Sequence, residues 1–312
     1  MVRVARVDVA VGVIRDVSGR ILISKRLAGA HQGGLWEFPG GKFENHETAA
    51  QALSRELFEE LNITVKNSSP LIRINFDYPE AKVRLHVRTV DGFVGEVIAK
   101  EGQLFKWVSL QEINAYQFPE ANKAILSAIK LSRHYAIINT SDMLQAMDEL
   151  ECVAGQGVSL VQIRAKELSG VDAFIYMDAV RERCKELNLD YLLNSQMHVN
   201  KLLDEGVHLS SLDLMALYER PETSGLVAAS CHNLPELLKA EQLGLDFVVL
   251  SPVKKTGSHP EAEALGWQKF SGWVACVNIP VFALGGMALQ DYEQAINFGA
   301  QGLSGISLYK CR

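Results

Sequence analysis

Glu56, Glu59 and Glu60 stand at i, i+3 and i+4 in a run of strong helix formers, residues 47–61 (ETAAQALSRELFEEL). On a helix this spacing turns three side chains to one face. Glu47 sits at or near the start of the same segment. Carboxylates gathered on one surface repel one another unless a cation joins them, and hard oxygen donors favour Mg2+ or Mn2+. Mg2+ keeps bound water and takes one or two carboxylates together with phosphate oxygens. Such a surface can hold a polyphosphate and activate water against it. Glutamate-rich helices are also commonly solvated faces, and Glu59-Glu60 alone does not decide between the two.

The elements that must position these residues are legible from periodicity. Ala49, Leu53, Leu57 and Leu61 recur every four residues, one apolar face of a helix over 47–61. Strands are expected at 4–14 and 21–25, joined as a hairpin through the turn 16–20 (DVSGR), and at 71–77, 82–90, 92–98 and 104–108. A glycine-rich loop with Pro39 spans 28–46, and a last helix spans about 119–131. This is a mixed α+β pattern. From His134 onward short apolar strands alternate with helices, the strands at 135–139, 158–164, 191–194, 206–209, 226–230, 246–250, 280–284 and 302–306. Helices are expected between them at 141–153, 171–188, 198–204, 212–219, 233–243, 265–276 and 289–299. Eight such strands point to a parallel (β/α)8 TIM-type barrel. The expected organisation is therefore two domains, 1–131 and 132–312, joined by a short connection.

Composition sets outer bounds. With 312 residues, 48% hydrophobic and 22% charged, the chain has the balance of a globular protein with real cores. A net charge of −6 argues against duplex nucleic acid as a partner but not against a nucleotide held by local cations. Cys152, Cys184, Cys231, Cys276 and Cys311 form no C-x-x-C pair, which reads as buried free thiols in a reducing compartment. No apolar run reaches membrane-spanning length and the N-terminus has no secretory signature, so a cytoplasmic protein without a membrane partner is expected.

The segment 41–63 resembles the Nudix box, G-x5-E-x7-R-E-U-x-E-E-x-G-U with U aliphatic. Gly41, Glu47, Arg55, Glu56, Leu57, Glu59, Glu60 and Ile63 fall in place. The late glycine is Asn62, the next most tolerant residue for a left-handed helix end. Flanking pieces, Trp36-Glu37-Phe38-Pro39-Gly40-Gly41-Lys42, Lys100-Glu101-Gly102-Gln103, Trp107-Val108-Ser109-Leu110 and Phe118-Pro119-Glu120-Ala121-Asn122, extend the resemblance to MutT-type 8-oxo-dGTP diphosphatases over nearly all of 1–131. The resemblance implies metal-dependent hydrolysis of 8-oxo-dGTP to 8-oxo-dGMP and pyrophosphate, which sanitises the nucleotide pool. It implies Glu56, Glu59, Glu60, Glu101 and Gly40 as the metal site, with Mg2+ as the ion and Mn2+ as its substitute. Glu56, Glu101, Glu47 and Arg55 would be the catalytic set, Glu47 supporting and Arg55 ordering the carboxylates. Arg26, Phe38 and Asn122 would bind substrate, the last two reading the purine. Phe38 reads equally well as a core residue, and Asn122 as an N-terminal helix cap. Trp36 and Trp107 read as packing residues, and His31 and His46 as loop histidines without a role.

Several later pieces resemble thiamine-phosphate synthase and its TenI-like relatives: Val161-Gln162-Ile163-Arg164-Ala165-Lys166, Gly206-Val207-His208-Leu209, Ala229-Ser230-Cys231-His232, Leu250-Ser251-Pro252-Val253 and Ala283-Leu284-Gly285-Gly286-Met287. They fall at ends of expected strands, where barrels place their sites. A phosphate pocket of Arg164, Lys166, Asp213, Gly285 and Gly286 is implied, open to a phosphorylated metabolite. Three departures bear on activity. The family's Asn-Asp after the third strand is Asn194-Ser195, although Asp213 matches its second metal-binding aspartate. Its Thr-Pro-Thr-Lys loop is Thr256-Gly257-Ser258-His259, leaving Lys254 or Lys255 to substitute for the lysine. The tautomerase histidine position is Pro252. These predict a retained pocket with impaired thiamine synthesis. An active synthase half and a metabolite-binding module are the other readings.

Overall fold

The structure is a computed structural model describing residues 6–27, 29, 32–79, 81–197, 204–257 and 261–310. It divides into two compact units, Met1–Lys130 and Leu131–Arg312.

In the first unit, β1 (Val7–Ile14) runs parallel to β6 (Lys82–Val94) and antiparallel to β4 (Gly40–Lys42), and β5 (Thr64–Asp77) completes the sheet in the order β4-β1-β6-β5. A second sheet joins β3 (Trp36–Glu37), β2 (Ile21–Lys25) and β7 (Phe105–Val108) in the order β3-β2-β7, all antiparallel. The strands β1 and β2 do not form the expected hairpin, because they lie in different sheets. The turn forms, with the Asp16 carboxylate accepting from the amides of Ser18 and Arg20 at 2.8 and 2.9 Å. Beyond it, one bridge, Arg15 to Ile21, joins the strands before they part into different sheets. They part because β1 is apolar on both faces. Ala10 and Ile14 pack with Leu22, Val90 and the buried face of α1 (Ala49–Leu61), namely Ala52, Leu53, Leu57 and Leu61. Val11 and Val13 pack with Ile125, Ala128 and Ile129 of α2 (Lys123–Lys130).

Three boundaries also differ. The helix expected over 47–61 begins at Ala49, because Thr48 caps it, its hydroxyl accepting from the Gln51 amide while the Gln51 side chain accepts from the Thr48 amide. The strands expected at 82–90 and 92–98 are one strand ending at Val94, since Asp91-Gly92 stays in the ladder through irregular pairing at Asn67 and Ser68. Its partner β5 starts at Thr64 rather than 71, its polar beginning (TVKNSS) masking the strand. As expected, Asn62 ends α1 in the left-handed region, at φ 60° and ψ 26°.

The second unit is a closed barrel of parallel strands, β8 (His134–Ile138), β9 (Leu160–Ile163), β10 (Asp190–Asn194), β11 (Gly206–Leu209), β12 (Val227–Cys231), β13 (Phe247–Leu250), β14 (Val281–Ala283) and β15 (Gly302–Gly305), with β15 pairing back to β8. Helices α3 (Met143–Gly155), α4 (Gly170–Glu186), α5 (Ser211–Ala216), α6 (Leu234–Gln242), α7 (Gly266–Val274) and α8 (Tyr292–Asn297) lie between strands. The helix expected at 198–204 falls almost wholly outside the described residues. Inside the barrel, Tyr135, Phe247 and Phe282 form an aromatic knot with ring centroids 5.1 to 5.7 Å apart, closed by Leu160, Leu192 and Ala228.

The cysteines do not all match the expectation of buried free thiols. Cys184 and Cys231 do, and burial pushes the Cys184 thiol up to about 12. Cys276 is free but exposed, and Cys152 is disulfide-bonded. Cys152 closes α3 against the carbonyl of Tyr309, an approach between distant segments that sequence spacing does not encode. Among the described residues no helix is long and apolar enough to cross a membrane.

Candidate active site on the glutamate helix

The site is built on α1, whose apolar face is locked into the core while its opposite face carries the carboxylates. Arg55 organises that face. It grips Glu47 in two-pronged fashion, Nε to Oε1 at 2.8 Å and Nη2 to Oε2 at 2.9 Å, and reaches Glu56 at 2.9 Å, Glu59 at 3.1 Å and the Lys42 carbonyl at 2.9 Å. Hydrogen bonds from Arg55 and from the Glu44 amide hold Glu47 down at about 2, and the bonds that Arg55 makes to Glu47, Glu56 and Glu59 push the arginine up. Glu47 precedes the helix rather than lying in it, and it is a clamp for Arg55.

Two segments close over the helix. Glycines 40 and 41 run along β4 against its face, and a Cβ added at Gly41 would stand 2.2 Å from Glu56 Cδ. The second segment is 98–103. The amides of Ile98 and Lys100 donate to the carbonyls of Leu61 and Glu60, both at 3.0 Å, Lys100 Nζ donates to the Phe58 carbonyl at 2.9 Å, and Gln103 Nε2 to the Glu60 carbonyl at 3.4 Å. These bonds satisfy the open C-terminal carbonyls of α1 and bring Glu101 beside Glu60.

The electrostatic consequence falls on Glu60. Burial, then the charges of Glu101, Glu56 and Glu37, push its carboxyl up to about 8, against a hydrogen bond from the Gly40 amide that favours ionisation. Among the described residues no three His, Cys, Asp or Glu side chains already stand in a ligating arrangement. The donor chemistry nevertheless fits a hard divalent cation: the set is all oxygen, and its mutual repulsion is of the kind a cation relieves.

Of the expected substrate residues, Arg26 forms an ion pair with Glu37, both side chains partly buried. Phe38 is 3% exposed and stacks on Phe118 with centroids 5.4 Å apart, so its side chain is a core element. Asn122 is buried at the end of a 3-10 turn, Glu120–Asn122, and its side chain does not cap α2. Trp36 packs edge-on to Tyr116 at 5.1 Å, and Trp107 stacks on Phe93 at 6.4 Å. Sequence reasoning missed Glu37, which both pairs with Arg26 and faces the cluster. Only its place in the Trp36–Lys42 run could have drawn attention to it.

In the barrel, Arg164 bonds the Asn139 side chain and Lys166 the Gln196 side chain. Burial, then repulsion from Arg164, lowers Lys166, against an attraction to Asp213. Asp213 accepts from the hydroxyls of Ser195 and, at 2.8 Å, Ser210, and it sits in the first turn of α5. Gly285 and Gly286, at φ 97° and 64°, pass so close to the 252–255 segment that added Cβ atoms would stand 2.7 Å from Pro252 and 2.3 Å from the Lys255 carbonyl. Lys254 is paired to Asp291 at 2.5 Å. Ser258 and His259 lie outside the described residues. Deeper in, His208 bridges Tyr135 at 3.0 Å and Ser230 at 2.9 Å, and burial, then Arg164, presses it down to about 3.

Fold and site thus define an α+β unit presenting a carboxylate-bearing helix and a (β/α)8 unit with polar groups at its strand ends. The Nudix domain family matches residues 10–128, and the thiamine monophosphate synthase family matches 134–308. An 8-oxo-dGTP diphosphatase of Escherichia coli is 39% identical over 125 residues, covering 40% of this chain and 97% of that one. Its counterpart in Haemophilus influenzae is 37% identical over 128 residues, covering 41% and 94%. A thiamine-phosphate synthase of Caldanaerobacter subterraneus is 31% identical over 182 residues, covering 55% and 84%. The chain belongs to the Nudix family through its first unit and to the thiamine monophosphate synthase family through its second.

Proposed function

We propose that the first unit hydrolyses a nucleoside triphosphate, 8-oxo-dGTP foremost, to the monophosphate and pyrophosphate, and so clears oxidised nucleotides from the cytoplasmic pool. The observation that carries this reading is the carboxylate face of α1, where Arg55 binds Glu47, Glu56 and Glu59 and the 98–103 segment is bonded onto the helix end at Glu60 and Leu61. Mg2+, or Mn2+ in its place, would be held by Glu56, Glu59, Glu60, Glu101 and the Gly40 carbonyl. When bound, such an ion neutralises phosphate charge and makes a metal-held water a better nucleophile. Arg55 and Glu47 keep the carboxylates in register. Arg26 meets the nucleotide, while the Phe38 backbone and the Asn122 amide read the base. Neither duplex nucleic acid nor a membrane is part of the reading. The test is a panel of 8-oxo-dGTP, dGTP, ADP-ribose and dinucleoside polyphosphates at one magnesium concentration. A preference for 8-oxo-dGTP supports the reading; equal or better turnover of the dinucleotides or ADP-ribose overturns it.

For the barrel the favoured reading is a pocket that binds a phosphorylated metabolite through Arg164, Lys166, Gly285 and Gly286 without efficient thiamine synthesis. Asp213 is taken up by two serine hydroxyls and Lys254 by Asp291. A bifunctional enzyme is the competing reading, and complementation of a thiamine auxotroph separates the two.

A further inference from the structure

Glu37 has no role in the chemistry set out above, yet it stands between two of its parts. The register of β2 and β3 pairs Ser24 with Glu37, and the chain leaves β2 at Arg26, whose amide donates to the Leu35 carbonyl at 2.9 Å while its own carbonyl accepts from Gly34 at 3.0 Å. This continuation of the β2–β3 pairing brings the Arg26 guanidinium onto the Glu37 carboxylate. Three residues on, the same run reaches Gly40, whose amide bonds Glu60. Glu37 thus opens the run that ends at Gly41, packed against the Glu56 carboxylate. Its own carboxyl is raised by burial and held back by Arg26, so the carboxylate is partly desolvated and depends on that arginine.

We propose that Glu37 is a positioning residue that holds the Arg26 guanidinium at the rim of the glutamate cluster, so that the phosphate chain of an incoming nucleotide meets a cation already in place. The proposal rests on the nucleotide-hydrolase reading and deepens it. A free arginine surrenders many rotamers when it captures an anion, whereas one fixed beforehand does not, and the gain appears as affinity. A guanidinium is a planar fork of five N–H donors, so it can keep a carboxylate on one edge and accept a phosphate on another. The ion pair also screens the phosphates from Glu37, which would otherwise add to the repulsion of an anionic substrate by the unneutralised cluster.

Steady-state kinetics on the full chain at saturating Mg2+ test this with Glu37→Gln, Glu37→Asp, Arg26→Ala and the double variant Arg26→Ala/Glu37→Gln. The expected result is a KM for the nucleoside triphosphate raised on the order of 10-fold in Glu37→Gln, with a much smaller change in kcat. Glu37→Asp recovers part of the loss, and the double variant is no worse than Arg26→Ala alone, because the two residues act as one unit. A wild-type KM in Glu37→Gln overturns the proposal. So do effects that multiply in the double variant, or equal losses in KM and kcat accompanied by a lowered melting temperature, which mark a structural role. Wild-type turnover tests the underlying reading separately. If it is absent, the same cycle is measured as calorimetric binding of a non-hydrolysable nucleoside triphosphate with Mg2+. There, zero coupling between Arg26 and Glu37, or no binding by the wild type, overturns the proposal.

Discussion

Gly41 and Glu56 occupy space that only one of them can fill: a Cβ on residue 41 would lie 2.2 Å from Cδ of Glu56 and 2.4 Å from both its oxygens. The neighbouring Gly40 is glycine for another reason, since its Cβ would strike the Ala10 carbonyl oxygen at 2.0 Å and its φ is +147°. One collision is with the movable end of a side chain, the other with backbone inside a sheet. The two positions therefore separate site from fold.

Gly41→Ala should leave the melting temperature within a few degrees of wild type while turnover falls on the order of 100-fold, because the Glu56 carboxylate is displaced by an ångström or more. Gly40→Ala should cost about 2 kcal/mol or more of stability through the backbone clash. Denaturant unfolding and single-turnover hydrolysis on the two variants check both. Equal stability losses would refute the distinction.

The pH dependence of the metal-free protein follows from Glu60. Its folded carboxyl titrates at about 8, above its unfolded value of about 4.5. Between those limits the folded state holds more protons than the unfolded state, so stability falls as pH rises from about 4.5 to 8 and levels off above. Adding Mg2+ should restore stability most at the alkaline end, where the ionised cluster repels itself. Melting curves across pH 5 to 9 (roughly the window of this linkage), with and without Mg2+, show whether the slope exists and whether the ion flattens it.

Glu60→Gln should separate stability from turnover. Removing the charge relieves the repulsion from Glu101, Glu56 and Glu37, so the metal-free variant should melt higher than wild type near pH 8. Its hydrolysis should fall on the order of 100-fold or more with the loss of an anionic oxygen donor. Wild-type turnover in this variant would remove Glu60 from the metal site.

Arg55→Lys should behave as a loss of function although charge is kept. A lysine presents one compact ammonium and cannot reproduce the two-pronged grip on Glu47 together with the bonds to Glu56, Glu59 and the Lys42 carbonyl. Turnover should drop about 10- to 100-fold with the fold intact by circular dichroism. A kcat within twofold of wild type would show that ordering the carboxylates is not its task.

In the barrel, the full chain should fail to rescue a thiamine auxotroph, because Ser195 replaces an expected acidic partner and binds Asp213 instead. Rescue at normal growth would restore the synthase reading.

Much of this arrangement was legible in the chain because local rules and tertiary demands agree. The four-residue recurrence of Ala49, Leu53, Leu57 and Leu61 specifies α1, whose inner face is correspondingly buried, and the tolerance of Asn62 for left-handed backbone matches its φ of 60°. The barrel strands stood out because they are continuously apolar. What escaped was what depends on distant chain segments meeting. The polar opening of β5 is a strand only because β6 lies beside it, and β1 leaves β2 only because both its faces are needed for burial. Glu37 carries no spacing signal, as its meaning arises where the pairing of β2 with β3 sets Arg26, one residue beyond β2, diagonally across from it.

The bonds from residues 98–103 to the last carbonyls of α1 tie two parts of the candidate site into one mechanical piece. Fraying of the final helical turn would carry Glu101 along with Glu60, so modest thermal loosening changes where the pair sits more than how far apart its members are. Activity should then start to decline on heating as soon as the end of α1 loosens, because Glu60 and Glu101 shift together away from Glu56.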